Sequence, residues 1–191
     1  MYLYNYKIAG LAEFEWYQSI HKEIWFDHEY SRYGVGVKPG NIVVDCGANV
    51  GFFTLYALDK GAKQVYSIEC DDRNIESLEY NLQNTNSTII QKRVGFGENN
   101  IDIEQIFQII NKPFIDFIKI DIEWAEYDLL LNTPDNIMQR INQWVIEVHD
   151  IYTHYEQIFQ IIEKFSKNGF DVNFEHIHKK TNLALLYVKK R

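Results

Sequence analysis

Seven residues, Asp45-Cys46-Gly47-Ala48-Asn49-Val50-Gly51, limit what this chain can fold into more than any others. Ahead of them runs Ile42-Val43-Val44, short and β-branched, which reads as a buried strand. Behind them Phe52-Phe53-Thr54-Leu55-Tyr56-Ala57-Leu58 has helical composition and stops at Gly61. A strand, a glycine turn and a helix make the first unit of a nucleotide-type cofactor site. Gly47 allows the backbone to turn tightly, and Gly51 allows helix and strand to pack closely. The helix start then offers free N–H groups and a positive dipole end to an anionic group.

What stands between the glycines narrows the cofactor. A dinucleotide site has the spacing G-x-G-x-x-G, but here Asn49 occupies the place of the central glycine. Its side chain enters the space a pyrophosphate needs. A carboxylate on Asp45, at the strand end, repels phosphates and suits a cation. S-adenosylmethionine carries no phosphate. Its carboxylate can meet the helix start while its ammonium and sulfonium face acidic groups. Glu69 closes a second apolar run, Val65-Tyr66-Ser67-Ile68, 18 residues after Gly51. An acid roughly 20 residues on is what holds a ribose by its hydroxyls.

Several segments together resemble a known family. They are Val43-Val44-Asp45-Cys46-Gly47-Ala48-Asn49-Val50-Gly51-Phe52-Phe53-Thr54, then Ile118-Lys119-Ile120-Asp121-Ile122-Glu123 with Glu126, and Val145-Ile146-Glu147-Val148-His149. This combination is similar to the FkbM family of S-adenosylmethionine-dependent methyltransferases, from about Glu23 to about His149. The resemblance implies an α/β, Rossmann-like class I methyltransferase fold: a mostly parallel seven-stranded sheet ending in an antiparallel β-hairpin, with helices on both faces. It also implies O-methylation as the commonest activity. The chain departs from the family pattern twice. A long insertion usual before the next helix is missing ahead of Ile101, which predicts a more open site or one completed by another chain. Trp124 stands where the family has glycine, which leaves two readings: an aromatic wall of the acceptor pocket, or a remodelled site without turnover.

The 191 residues suit one domain over 1–191, with an N-terminal helical and aromatic cap at 1–38 and a Rossmann-like core at 39–191. A hydrophobic content of 46% is ample for a core. The net charge of -8 argues against nucleic acid or an anionic membrane as a main partner. Cys46 and Cys70 read as small reduced fillers rather than a disulfide framework. No run approaches a membrane span and the N-terminus lacks a signal pattern, so a cytoplasmic setting is expected.

In the cap, Leu11, Phe14, Tyr17, Ile24 and Trp25 approximate a helical stripe, and Tyr30 or Tyr33 is a candidate flap over the cofactor. Asp71-Asp72 offers an N-cap to a helix burying Ile75, Leu78 and Leu82. Thr88 to Val94 reads as a strand, and Phe96, between Gly95 and Gly97, is either an adenine stack or a loop plug. Phe114 to Asp121 is the next strand, with Asp121 and Glu123 on one face at its carboxyl end. Thr133-Pro134 looks like a helix start, with Thr as cap. Trp144 to His149 is a further strand, placing Glu147 and His149 on one face. Phe170 to Ile177 and Leu183 to Val188 flank His178-Lys179-Lys180-Thr181-Asn182 as the closing hairpin.

The expected cofactor-binding residues are therefore Asp45, Gly47, Asn49, Gly51, Glu69, Cys70, Phe96 and Asp121. Asp121, Glu123 and His149 are the candidate catalytic groups, with a neutral His149 imidazole able to take a proton from an acceptor hydroxyl. The same three residues have the chemistry to hold a divalent cation, but their spacing is no dedicated cage, and no metal is expected. The acceptor is a small molecule or sugar. Two alternatives stand beside methyl transfer: a silent S-adenosylmethionine-binding protein, and an NAD-dependent oxidoreductase, disfavoured by Asn49 and Asp45.

Overall fold

A computed structural model describes residues 2–3, 5–8, 14–178 and 182–191. Leu11 and the hairpin tip at Lys179, Lys180 and Thr181 lie outside the described residues. Two short paired strands, β1 (Tyr2–Leu3) and β2 (Tyr6–Lys7), come first, followed by helix α1 (Phe14–Trp25). Then strands and helices alternate: β3 (Ile42–Cys46), α2 (Phe52–Asp59), β4 (Gln64–Glu69), α3 (Asp72–Leu82) and β5 (Ser87–Gln91). The second half runs α4 (Ile103–Ile110), β6 (Ile115–Ile120), α5 (Glu126–Asn132), α6 (Asp135–Met138) and β7 (Ile141–His149). It closes with α7 (Tyr155–Lys167), β8 (Phe170–His178) and β9 (Leu183–Lys190).

Seven strands form one sheet in the order β5-β4-β3-β6-β7-β9-β8. The first five are parallel; β9 runs antiparallel to β7, and β8 antiparallel to β9. The fold expected from the sequence is thus present, its closing hairpin included. Chain order reverses at β3, so β4 and β6 leave it on opposite sides, and a crevice opens where their carboxyl ends part. The strands read as apolar runs because both faces are covered. Val43, Val65, Phe117, Val145 and Tyr187 face a core shared with α1 and α2. Val44, Ile68, Ile118, Ile146 and Val188 face a second core shared with α4, α5 and α7.

Most element starts follow their sequence cues. Asp71 caps α3 by accepting from Arg73 N, and Asp102 and Gln105 form a reciprocal capping box on α4. Two expectations need correction. Thr133 does not cap the helix after it; it ends α5, and its hydroxyl donates to the Leu129 carbonyl, while Pro134 precedes the four-residue α6. Asp121 and Glu123 do not share a strand face either. The strand β6 stops at Ile120, and Glu123 and Trp124 both take positive φ, 49° and 73°. Their placement is set by this turn and not by strand alternation.

Candidate active site

A cavity of about 1190 Å³ opens at the carboxyl ends of β3, β4, β6 and β7, and one face of α1 with the segment after it forms its far wall. Its first half is made largely of backbone. Gly47 has φ +79°, and a Cβ there would lie 1.8 Å from the Asp121 carbonyl oxygen, so only glycine fits. Gly47 N and Ala48 N both donate to the Ile68 carbonyl, which ties the bend to the end of β4. Glu69, 8% exposed, locks the same bend from the other side. Its Oε2 accepts from Asn49 N at 2.8 Å, and its Oε1 accepts from Cys70 N and Asp71 N, both at 2.7 Å. A carboxylate has about four acceptor positions, so roughly one, on Oε2, stays open to the cavity. Cys70, a free thiol, and Asp71 complete this wall, with Lys92 and Arg93 beside them.

The second half is made of charged side chains. Lys119, buried in β6, places its ammonium 3.3 Å from Asp45 Oδ1 and 3.3 Å from Asp121 Oδ2. It also donates to the Gly47 carbonyl at 2.9 Å and lies over the rings of Tyr30 and Phe53. Burial pulls the Lys119 ammonium down, but the carboxylates of Asp45, Asp121 and Glu147 outweigh it and hold it protonated. Tyr30 donates its hydroxyl to Glu147 Oε2 at 3.0 Å. Burial and the neighbouring Asp121 charge push the Glu147 carboxyl up to about 8. On the far side, fully buried Glu126 accepts from both the backbone N and the Nδ1 of His149, at 2.7 and 2.9 Å. Burial draws the His149 imidazole down, yet the Glu126 hydrogen bond and the charges of Glu126, Glu147 and Asp121 push it up to about 9.

Several expected residues sit elsewhere. Asp45 is 0% exposed and does not reach the cavity wall. Its carboxylate accepts from the Thr54 hydroxyl at 2.8 Å and pairs with Lys119, so it braces the glycine bend from beneath and faces no ligand. Gly51 is also below the wall; a Cβ there would press on Leu78 and Leu82 of α3, so its smallness serves helix–helix contact. Phe96 is 54% exposed and outside the lining, so it is not a buried loop plug. Tyr30 lines the cavity through its bond to Glu147, whereas Tyr33 leans on Tyr187 outside it. Trp124 is 61% exposed at the rim, 5.7 Å from the His149 ring, and is not part of the lining. The neutral imidazole expected at His149 is replaced by a protonated one at neutral pH, because carboxylates surround it. Asp121, Glu123, Glu147 and His149, by contrast, all meet in the cavity.

Sequence reasoning assigned no role to Lys119, Glu126 or Glu147. A charged residue inside the run Phe117-Ile118-Lys119-Ile120 was the available signal for the first, since a buried lysine demands a carboxylate partner. Nothing local marks Glu126, whose partner is His149 on another element.

Residues 88–172 match the family model of the methyltransferase FkbM domain. Over that stretch the chain is similar to FkbM-type methyltransferases. It is 24% identical over 214 aligned residues to the AMB antimetabolite synthetase AmbE of Pseudomonas aeruginosa, across 76% of this chain and 10% of that protein. It is 45% identical over 49 residues to the 31-O-demethyl-FK506 methyltransferase FkbM of Streptomyces tacrolimicus, across 26% of this chain and 17% of that protein. The chain thus spans under a fifth of either relative. Its fold is shared with Aeropyrum pernix fibrillarin, solved with natively bound S-adenosyl-L-methionine, at a TM-score of 0.63 and 14% identity over 84% of this chain and 71% of that one. The matched stretch includes β6, β7 and the turn between β6 and α5, and so Lys119, Asp121, Glu123, Glu126, Glu147 and His149, while Asp45 and Tyr30 precede it. Among the described residues no helix is long and apolar enough to cross a membrane.

Proposed function

We propose that this chain transfers a methyl group from S-adenosylmethionine to a hydroxyl of a small molecule or sugar. The observation that carries the reading is Glu69: a buried carboxylate, held by three backbone N–H groups beside the Gly47 bend, with one acceptor position left for a ribose hydroxyl. The similarity of residues 88–172 to the methyltransferase FkbM domain and the fold shared with a protein that holds this cofactor support the same conclusion.

When bound, S-adenosylmethionine supplies an electrophilic methyl on a sulfonium. The residues of the chain bind, orient and handle the proton. Glu69 holds the ribose, and the Gly47 bend keeps the wall free of side chains where the nucleoside passes. Asp121 presents negative charge to the ammonium and sulfonium end, joined by Glu147 once that carboxyl ionises above about pH 8. In its ionised form, which predominates above about pH 8, Glu147, its other oxygen fixed by Tyr30, is placed to accept the proton of the acceptor hydroxyl. Most of the rate comes from alignment; effective molarities of about 10⁵–10⁸ M are attainable for well-oriented pairs. Trp124 stands outside the lining, which favours an open acceptor end over the silent-binding alternative.

Calorimetric titration with S-adenosylhomocysteine and with NAD tests the cofactor half. Binding of the first and not the second is expected, and Glu69→Ala should weaken it by about tenfold or more. Equal binding by Glu69→Ala contradicts the assignment. Methyl transfer to a panel of hydroxyl and amine acceptors tests the other half, with turnover on hydroxyl compounds expected.

A further inference from the structure

The cluster at the acceptor end has more ligand capacity than methyl transfer alone requires. One oxygen each from Asp121 and Glu123 and one nitrogen of His149 all lie within 4.8 Å of one another. These donors come from three places, the end of β6, the positive-φ turn after it and the end of β7. His149 is only 6% exposed. Its Nδ1 is committed to Glu126, 2.9 Å away. That leaves Nε2 facing the cavity with no hydrogen-bond partner; its nearest acids, Glu123 Oε2 and Glu147 Oε1, are each 3.7 Å away. A buried carboxylate behind the far nitrogen is the arrangement that orients metal-binding imidazoles.

We infer that Asp121, Glu123 and His149 form a binding site for a divalent cation, at the end of the cavity opposite Glu69. This revises the expectation that no metal is involved, because the sequence spacing could not show that a fourth acid, Glu126, fixes the histidine. Two carboxylates and one imidazole suit a cation such as manganese, and lack the thiolates that softer ions favour. Donors around such an ion stand about 3 Å apart at metal–ligand distances of about 2.1 Å, so the cluster must close inward around it. Glu123, with its side chain 71% exposed at the rim, is free to swing inward. The ion replaces the proton on Nε2 and offsets the negative charge of Asp121, Glu123 and Glu147.

Three protein donors leave coordination positions for an acceptor oxygen. The role of the ion in catalysis rests on the methyl-transfer reading above; its binding does not. In that role the ion acidifies the acceptor hydroxyl. The hydroxyl proton passes to Glu147, the oxygen–carbon bond forms as the carbon–sulfur bond breaks, and the sulfonium leaves as a neutral thioether.

The test is a titration of manganese into the metal-stripped full chain, without cofactor or acceptor, following the electron paramagnetic resonance signal of free Mn²⁺. One saturable site per chain is expected. Glu123→Gln and, separately, His149→Gln should each weaken it by about tenfold or more. Glu163→Gln, exposed and paired with Lys167 toward the far end of α7, should leave it unchanged. Circular dichroism confirms that the variants fold, and Glu123, being exposed, makes the safer of the two. Absence of a saturable site, or full binding by both cluster variants, overturns the inference. Titrating S-adenosylhomocysteine into the same sample separates the two claims. Nucleoside binding without manganese binding removes the cation site alone, whereas loss of both removes the proposed function with it.

Discussion

The two halves of the cavity are built on opposite principles. Around Glu69 the wall is backbone: a glycine bend that tolerates no Cβ, and three N–H groups closed onto one carboxylate. Around His149 the wall is side-chain charge, with Glu126, Glu147, Glu123 and Asp121 gathered about one imidazole. The first half is satisfied internally and so has a fixed shape that fits one kind of ligand. The second holds excess negative charge and donors without partners, which leaves it responsive to whatever cation or acceptor enters. Lys119 joins the halves, since its single ammonium touches Gly47 on one side and Asp121 on the other.

Breaking that joint should have the largest effect. Lys119→Met strands Asp45 in the core with Thr54 as its remaining hydrogen-bond donor, and removal of one partner of a buried pair costs about 3–5 kcal/mol. Chemical denaturation should show this loss together with loss of nucleoside binding. A stable variant that still binds would mean the halves are independent. Gly47→Ala comes next: the new methyl meets the Asp121 carbonyl, and strain of about 1–3 kcal/mol is expected, with the cofactor half distorted.

Glu126→Gln sharpens the contrast from the other side. It keeps the shape but removes the charge behind His149, so nucleoside affinity should hold while manganese affinity falls about tenfold. Equal losses at both ligands would show that the two walls act as one. The smallest effect is expected at Trp124→Gly. Glycine relieves the left-handed strain, worth about 1 kcal/mol, and forfeits a ring contact of similar size with His149. Thermal unfolding should therefore move by only a few degrees, in either direction.

The same contrast explains what the sequence could reveal. The β3–α2 unit was legible because glycine spacing and apolar runs are local signals, and Glu69 followed at a fixed interval. The parallel strands and closing hairpin were readable for the same reason. The charged half was not, since its meaning lies in pairs far apart in the chain: Asp45 with Lys119, Tyr30 with Glu147, Glu126 with His149. Asp45 was assigned to the ligand because nothing in its neighbourhood announces a buried lysine partner. Alternation failed for Glu123 because the strand ends one residue before Asp121. Thr133 misled because threonine before proline also suits a helix end.

One structure would test the central claim most directly: the chain crystallised with S-adenosylhomocysteine. The account predicts a ribose hydroxyl on Glu69 Oε2 and the sulfur turned toward Asp121 and Glu147, with His149 beyond it. A nucleoside bound in the reverse sense, or a cavity that stays empty at saturating ligand, would contradict it.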